Sequence, residues 1–237
     1  MNNARVNITQ RDHDFIFGCN GLMLGQLGEN NELYEQVFAR LFNLVTTAIC
    51  WNIAEPERGK FRFEEGSEEI FRRPPLDRVR NFAKKYHLKL KGQPLLADTW
   101  IPEWASKDPD ELKKQIRNYF QVLADRYGKD LYLVDAVNEA FLCKNRTPDF
   151  PLYDENLSYV PWALNTAAEI FPDSCILERN EASLINYGEA AERYFQEIKK
   201  LKEDKVRIDA VGLQVHMFNS DEGLRHLNGD YLNLRYQ

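Results

Sequence analysis

An α/β fold built on parallel strands is predicted by three observations. Short apolar runs alternate with amphipathic stretches along the 237 residues, and such alternation implies parallel strands joined by right-handed crossover helices. The first strand leads into Gly18-Cys19-Asn20-Gly21, without a glycine-rich dinucleotide fingerprint, and no Walker-type phosphate loop is present. That argues against an open nucleotide-binding sheet. Polar residues with chemical potential follow nearly every strand, which favours a closed (β/α)8 barrel carrying its chemistry at the C-terminal rim.

The elements follow in order. Phe15–Cys19 reads as the first strand and Glu32–Leu41 as the helix after it. Leu44–Ile49 is the second strand and Leu76–Tyr86 its helix, with the elaborate segment Trp51–Pro75 between them. Leu88–Leu96 is the third strand. Asp108-Pro109-Asp110-Glu111 starts a helix by several rules at once: Asp108 caps, Pro109 fits the first helical position, and Glu111 stands where a capping box requires it. Leu112, Ile116, Tyr119 and Leu123 then form an apolar face. Leu131–Val137 is the fourth strand and Pro161–Phe171 its helix, with a second long loop, Cys143–Val160, before it. Cys175–Leu177 is the fifth strand. Tyr187, Ala191, Tyr194, Ile198 and Leu201 mark the next helix, and Ile208–Val215 is the sixth strand.

No Gly/Ser linker or change of composition divides the chain, so residues 1–237 are expected to form a single domain. A barrel of eight units takes about 250 residues. Six units consume most of this chain, so the expectation is a barrel with about its first six strand–helix units present and its last two missing.

Composition narrows the function. The chain is 43% hydrophobic and 29% charged with a net charge of −6, which describes a globular protein with no basic stripe for nucleic acid. No apolar stretch is long enough to span a membrane. Met1-Asn2-Asn3-Ala4-Arg5 lacks the apolar core of a signal peptide, so the expectation is either an intracellular protein or a secreted or periplasmic one whose leader lies on a longer gene product. Cys19, Cys50, Cys143 and Cys175 show no metal-ligand rhythm, and core packing is expected of those in or beside strands. No metal or cofactor is implied.

The most informative segment is Leu131-Tyr132-Leu133-Val134-Asp135-Ala136-Val137-Asn138-Glu139-Ala140. An apolar strand ending in an amide and a carboxylate places both at the sheet rim. A carboxylic acid there suits protonation of a departing sugar oxygen, and the amide suits a sugar hydroxyl. A strand that simply ends in two polar residues because a loop begins is the competing reading, and the remaining motifs decide between them.

Those motifs fall in order over nearly the whole chain. They are Phe15-Ile16-Phe17-Gly18; Trp51 followed by Glu55-Pro56-Glu57-Arg58-Gly59-Lys60-Phe61-Arg62-Phe63; Lys91-Gly92-Gln93 through Pro102-Glu103-Trp104; Asp135 through Ala140; and Ile208-Asp209-Ala210-Val211-Gly212-Leu213-Gln214-Val215-His216. Together they resemble glycoside hydrolase family 10, the endo-1,4-β-xylanase family. The resemblance implies a (β/α)8 barrel that hydrolyses a β-1,4-linked plant polysaccharide by retaining double displacement. Glu139 stands at the position of the family's general acid/base, and Asn138, Gln214 and His216 at substrate-binding positions. Trp51, Trp100 and Trp104 are candidates for stacking on sugar rings, with core packing the equal alternative for Trp51 and the better one for Trp104. Asn180-Glu181 is similar, less closely, to the family's Asn-Asp pair.

The departures matter as much. The second strand region is shortened to Thr47-Ala48-Ile49-Cys50, without the family's Glu-Asn and Lys. Gln93 replaces a histidine, and Ala97-Asp98 replaces a Trp-His pair; both Gln93 and Asp98 are expected near the sugar. Nothing among Met217–Gln237 matches the family's nucleophile strand, so the nucleophile is unassigned, and Asp221 and Glu222 read as loop charges. Two other functions compete: a non-catalytic carbohydrate-binding barrel, and another retaining glycosidase of the same barrel type. The expected partner is a polysaccharide or oligosaccharide.

Overall fold

The computed structural model describes residues 14–184 and 188–216. Among them six strands form one sheet in the order β1 to β6, every neighbouring pair parallel. The strands are β1 (Gly18–Asn20), β2 (Leu44–Ala48), β3 (Lys89–Gln93), β4 (Leu131–Asn138), β5 (Ile176–Glu181) and β6 (Ala210–Leu213). The helices are α1 (Asn31–Leu41), the single turn α2 (Trp51–Ala54), α3 (Leu76–Lys85), α4 (Pro109–Tyr127), the single turn α5 (Cys143–Arg146), α6 (Tyr159–Ile170) and α7 (Gly188–Glu203). Sequential parallel strands with a helix in every crossover are the architecture of the (β/α)8 barrel, here through six of its strands.

Local sequence explains the best-defined helix. The Asp108 side chain accepts a hydrogen bond from the Glu111 N–H at 2.9 Å and Pro109 occupies the first turn, as a start signal of this type requires. The reciprocal half of the box is made by a different residue: Ser106 Oγ accepts from the Asp108 N–H at 3.1 Å. Leu112, Ile116, Tyr119 and Leu123 are buried as their spacing predicts. They join Val45, Val134 and Leu177 of the sheet and Ala163, Leu164 and Ala167 of α6 in one apolar cluster. That cluster lies between the outer face of the sheet and the helices, where burial of apolar surface supplies the main stabilisation.

Three sequence expectations are corrected. β1 begins at Gly18, not Phe15, and Phe15 and Phe17 are exposed. Cys19 on this short strand is exposed too, whereas Cys50, Cys143 and Cys175 are buried and all four thiols are free. β3 stops at Gln93 rather than Leu96, because Pro94 has no N–H with which to continue the ladder.

The inner face of the sheet is polar. Asp135 on β4 pairs in register with Glu178 on β5, and the Glu178 carboxylate forms an ion pair with Lys91 of β3. Strict alternation from Asp135 would place Val137 on this face and turn Asn138 outward. A register shift between Asp135 and Val137 reverses that outcome: Val137 pairs with Arg179 and Asn138 pairs with Asn180. The irregularity re-aims one side chain at the sheet rim, a recurrent use of bulges beside functional sites.

Candidate active site at the rim of β4, β5 and β6

The shift in β4 gathers three amides. Asn138 Oδ1 accepts from Asn180 Nδ2 at 2.9 Å and from Gln214 Nε2 at 3.0 Å. Gln214 follows β6 directly, held by its N–H to the Glu181 carbonyl at 3.0 Å, and its Oε1 lies 3.1 Å from His216 Nε2. Asn180 Nδ2 also donates to Asp135 Oδ2 at 2.9 Å. Asn138, Gln214 and His216 are therefore connected at one end of the sheet.

Glu139 is the next residue after β4 and adopts a left-handed backbone, φ 53°. Such a conformation in a non-glycine residue is uncommon and clusters at functional sites. Its N–H is bonded to the Asn180 carbonyl at 3.0 Å, which ties the turn to β5. The carboxylate is partly exposed and forms an ion pair with Arg146 Nη1. Arg146 ends α5, and its Nη2 bonds Asp98 Oδ1 at 2.8 Å. Asp98 Oδ2 accepts from Thr147 Oγ1. Arg146 and Thr147 carried no motif and were invisible in the sequence; only the folding of the loop after β4 brings them to Asp98.

Asp98 is thus not open to a sugar. Its side chain is 0% exposed and both oxygens are engaged by protein, so its observed task is to anchor Arg146. Trp51 is a second correction. It is buried, stacked on Tyr119 at 5.3 Å and edge-on to Trp104 at 5.4 Å, with Nε1 donating to Glu55 Oε2 at 2.7 Å. Its ring faces are consumed by the core. Glu55 also accepts from the Gly59 N–H at 2.7 Å, so its carboxylate holds the loop that follows α2. Trp100 is half-buried in the turn Asp98–Trp100, with the Arg73 guanidinium 5.6 Å from its ring. Gln93 is half-buried at the C-terminal end of β3, and its carbonyl accepts from the Ile49 N–H.

Other carboxylates near the rim are committed elsewhere. Glu181, at the end of β5, is 0% exposed; it pairs with Arg179 and accepts from the N–H groups of Phe141 and Ala182. Glu178 and Asp135 are buried on the inner face. Asp221 and Glu222 lie outside the described residues. Among the described residues no group of three or more His, Cys, Asp and Glu is arranged to hold a metal, and no helix is long and apolar enough to cross a membrane.

Asp135 carries the largest carboxylate perturbation at the site. Complete burial pushes its carboxyl up to about 7; Lys91 opposes that rise and Glu178 adds to it. The folded value stands above the ordinary unfolded value of about 3.9, so the folded state holds the proton more tightly. Stability from this group is full below the unfolded value and is lost as pH rises toward the folded one. Asp135→Asn removes that loss. The variant is expected to gain Tm relative to the wild type as pH is raised from about 4 to about 8, measured by calorimetry in parallel series. A constant difference across the range would show that Asp135 does not titrate there.

Chemically, the rim offers amides for hydroxyl groups and one partly exposed carboxylate set in a strained turn. Comparison with known proteins identifies the family and the fold. The family model for glycosyl hydrolase family 10 matches residues 13–232. Endo-1,4-beta-xylanase A of Phanerodontia chrysosporium is 28% identical over 207 residues, covering 82% of this chain and 48% of that protein. Endo-1,4-beta-xylanase A of Humicola insolens is 30% identical over 177 residues, covering 73% and 44%. The native xylanase 10B of Thermotoga maritima superposes with a TM-score of 0.70 at 24% identity, over 93% of this chain and 64% of that one. Xylanase 10B of Thermotoga petrophila RKU-1, solved with xylobiose, gives 0.67 at 23%, over 84% and 59%. The chain spans about half the length of the curated relatives it matches.

Proposed function

The chain belongs to glycosyl hydrolase family 10, and from that premise we propose that the β4–β6 rim binds a xylan-like β-1,4-linked glycan and that Glu139 is the general acid/base of its hydrolysis in the full-length protein. The observation that carries this reading is the juxtaposition at one rim of Glu139 with Asn138, Gln214 and His216. Asn138 has its amide oxygen occupied twice by protein donors, which leaves its Nδ2 to donate to a sugar hydroxyl. Glu139 is the one rim carboxylate described above with an accessible side chain. Its proton would pass to the glycosidic oxygen as the bond to the anomeric carbon breaks. As a carboxylate it would then accept a proton from the attacking water.

A retaining double displacement needs a second carboxyl about 5–5.5 Å from the first. Asp98, Asp135, Glu178 and Glu181 are buried and bound to protein, so the attacking carboxylate comes from outside the described residues. The xylanase relatives and the xylobiose-bound neighbour support xylan as the substrate class. Titration of the protein with xylohexaose in a calorimeter tests the binding half. Saturable binding is expected, with Asn138→Ala weakening it by about tenfold, the loss of roughly one hydrogen bond to a neutral partner. Binding indifferent to Asn138 would move the glycan site elsewhere.

A further inference from the structure

We propose that Asp135 and Gly212 are positioning residues for glycan recognition, fixing through Asn180 which end of the Asn138 amide meets the sugar. This rests on the rim being the glycan site. An asparagine amide offers an acceptor at one end and two donors at the other, and its orientation is decided by its neighbours. At Asn180 an acceptor on one side and close packing on the other favour one orientation. Asp135 Oδ2 lies 2.9 Å from Nδ2 and accepts from it. On the opposite side, a Cβ built on Gly212 would stand 2.5 Å from Asn180 Oδ1 and 2.8 Å from its Cβ. Gly212 and Asn180 are register partners on β6 and β5, so the glycine is what allows the Asn180 side chain to lie flat between the strands.

The consequence passes along the chain of bonds. With Nδ2 held toward Asp135, Asn180 donates its other proton to Asn138 Oδ1. Gln214 Nε2 donates to the same oxygen while Gln214 Oε1 faces His216 Nε2. Asn180 and Gln214 thus both donate to the Asn138 oxygen, which turns its Nδ2 end away from them. Asp135 lies beneath the rim, wholly buried, and its Oδ1 makes no hydrogen bond in the structure. It acts on the sugar only through Asn180 and Asn138. Because Asp135 needs only to accept at Oδ2, an amide oxygen can replace it, whereas an apolar side chain cannot.

The test uses a readout independent of any glycan. The side-chain ¹⁵N–¹H signals of Asn138 and Asn180 are assigned by their loss in Asn138→Ala and Asn180→Ala. Asp135→Leu is expected to shift or broaden the Asn138 side-chain signals and to weaken xylohexaose binding by about tenfold, the equivalent of one hydrogen bond to a neutral partner. Asp135→Asn is expected to restore both within about threefold of the wild type, inside the usual scatter of such contributions. Gly212→Ala, which crowds Asn180 from the other side, should reproduce the effect of Asp135→Leu and covers the case in which that variant fails to fold. Unchanged Asn138 signals in Gly212→Ala or in folded Asp135→Leu would overturn the proposal. Perturbed signals together with no xylohexaose binding by the wild type would leave the positioning intact and overturn the glycan reading instead.

Discussion

Arg179→Met should lower the stability of the protein by about 3–5 kcal/mol, the usual cost of removing one partner from a buried ion pair. Arg179 is wholly buried on the outer face of β5. Its Nη2 lies 2.8 Å from Glu181 Oε2, its Nε 3.1 Å from Glu197 Oε1 of α7, and its Nη1 within hydrogen-bond distance of the Val137 and Asn180 carbonyls. The rings of Phe141 and Tyr194 flank it at 5.6 and 5.3 Å. One guanidinium therefore joins β4, β5, α7 and the turn that follows Glu139. Methionine fills much of the volume but strands Glu181 and Glu197 without their cation. For a domain of this size the cost corresponds to a fall in Tm of roughly 6–20 °C. Arg179→Lys keeps the charge but loses the planar fork and should recover only part of the stability. Adding Glu181→Leu to Arg179→Met should recover part as well, because it removes a stranded charge. A Tm for Arg179→Met within about two degrees of the wild type would contradict the assignment of this residue as the clamp of the rim.

In the full-length protein, Glu139→Gln should slow cleavage of xylan by 10²–10⁴-fold, the range typical of lost general acid help. Glutamine keeps the shape and an oxygen for the Arg146 guanidinium, so the fold around the turn is preserved. What it removes is the transferable proton. An aryl glycoside whose leaving group is already a stable anion needs no proton, and its bond cleavage should be slowed far less. Rates on the two substrate types, measured beside a Tm to confirm folding, separate proton donation from a structural role. Equal losses on both would point to Glu139 holding Arg146 and Asp98 in place rather than donating.

Much of this arrangement was legible in the amino-acid pattern. Leu131–Val137 announced a buried strand, and its abrupt end at Asn138-Glu139 announced the rim. Asp108-Pro109 and the spacing of Leu112, Ile116, Tyr119 and Leu123 announced α4 with its cap. These signals are local, set by backbone conformation and one apolar face. What stayed hidden depends on contacts between distant segments. The register shift in β4 leaves no mark in residue type, yet it decides that Asn138 faces Asn180. Arg146 reads as one more surface cation until the loop after β4 folds against Asp98. Asp98 in turn reads as a polar residue near the sugar until both its oxygens are found engaged. Trp51 could equally serve a sugar or a core, and stacking on Tyr119 resolves that ambiguity in favour of the core. Arg179 sits in a strand among residues of both polarities, and nothing local marks it as the most buried cation at the rim.

The most direct test of the central claim uses Glu139→Ala in the full-length protein with an activated aryl xyloside and sodium azide. If Glu139 is the acid/base of a retaining reaction, the glycosyl-enzyme intermediate still forms from the activated substrate but water attacks it slowly for want of a base. Azide needs no base and fits the space the side chain vacated. Turnover is then expected to rise with azide concentration, and the product is expected to be the β-configured glycosyl azide, the sugar having been inverted twice. No azide adduct and no change in rate, in a variant that remains folded, would contradict the assignment of Glu139 as the general acid/base.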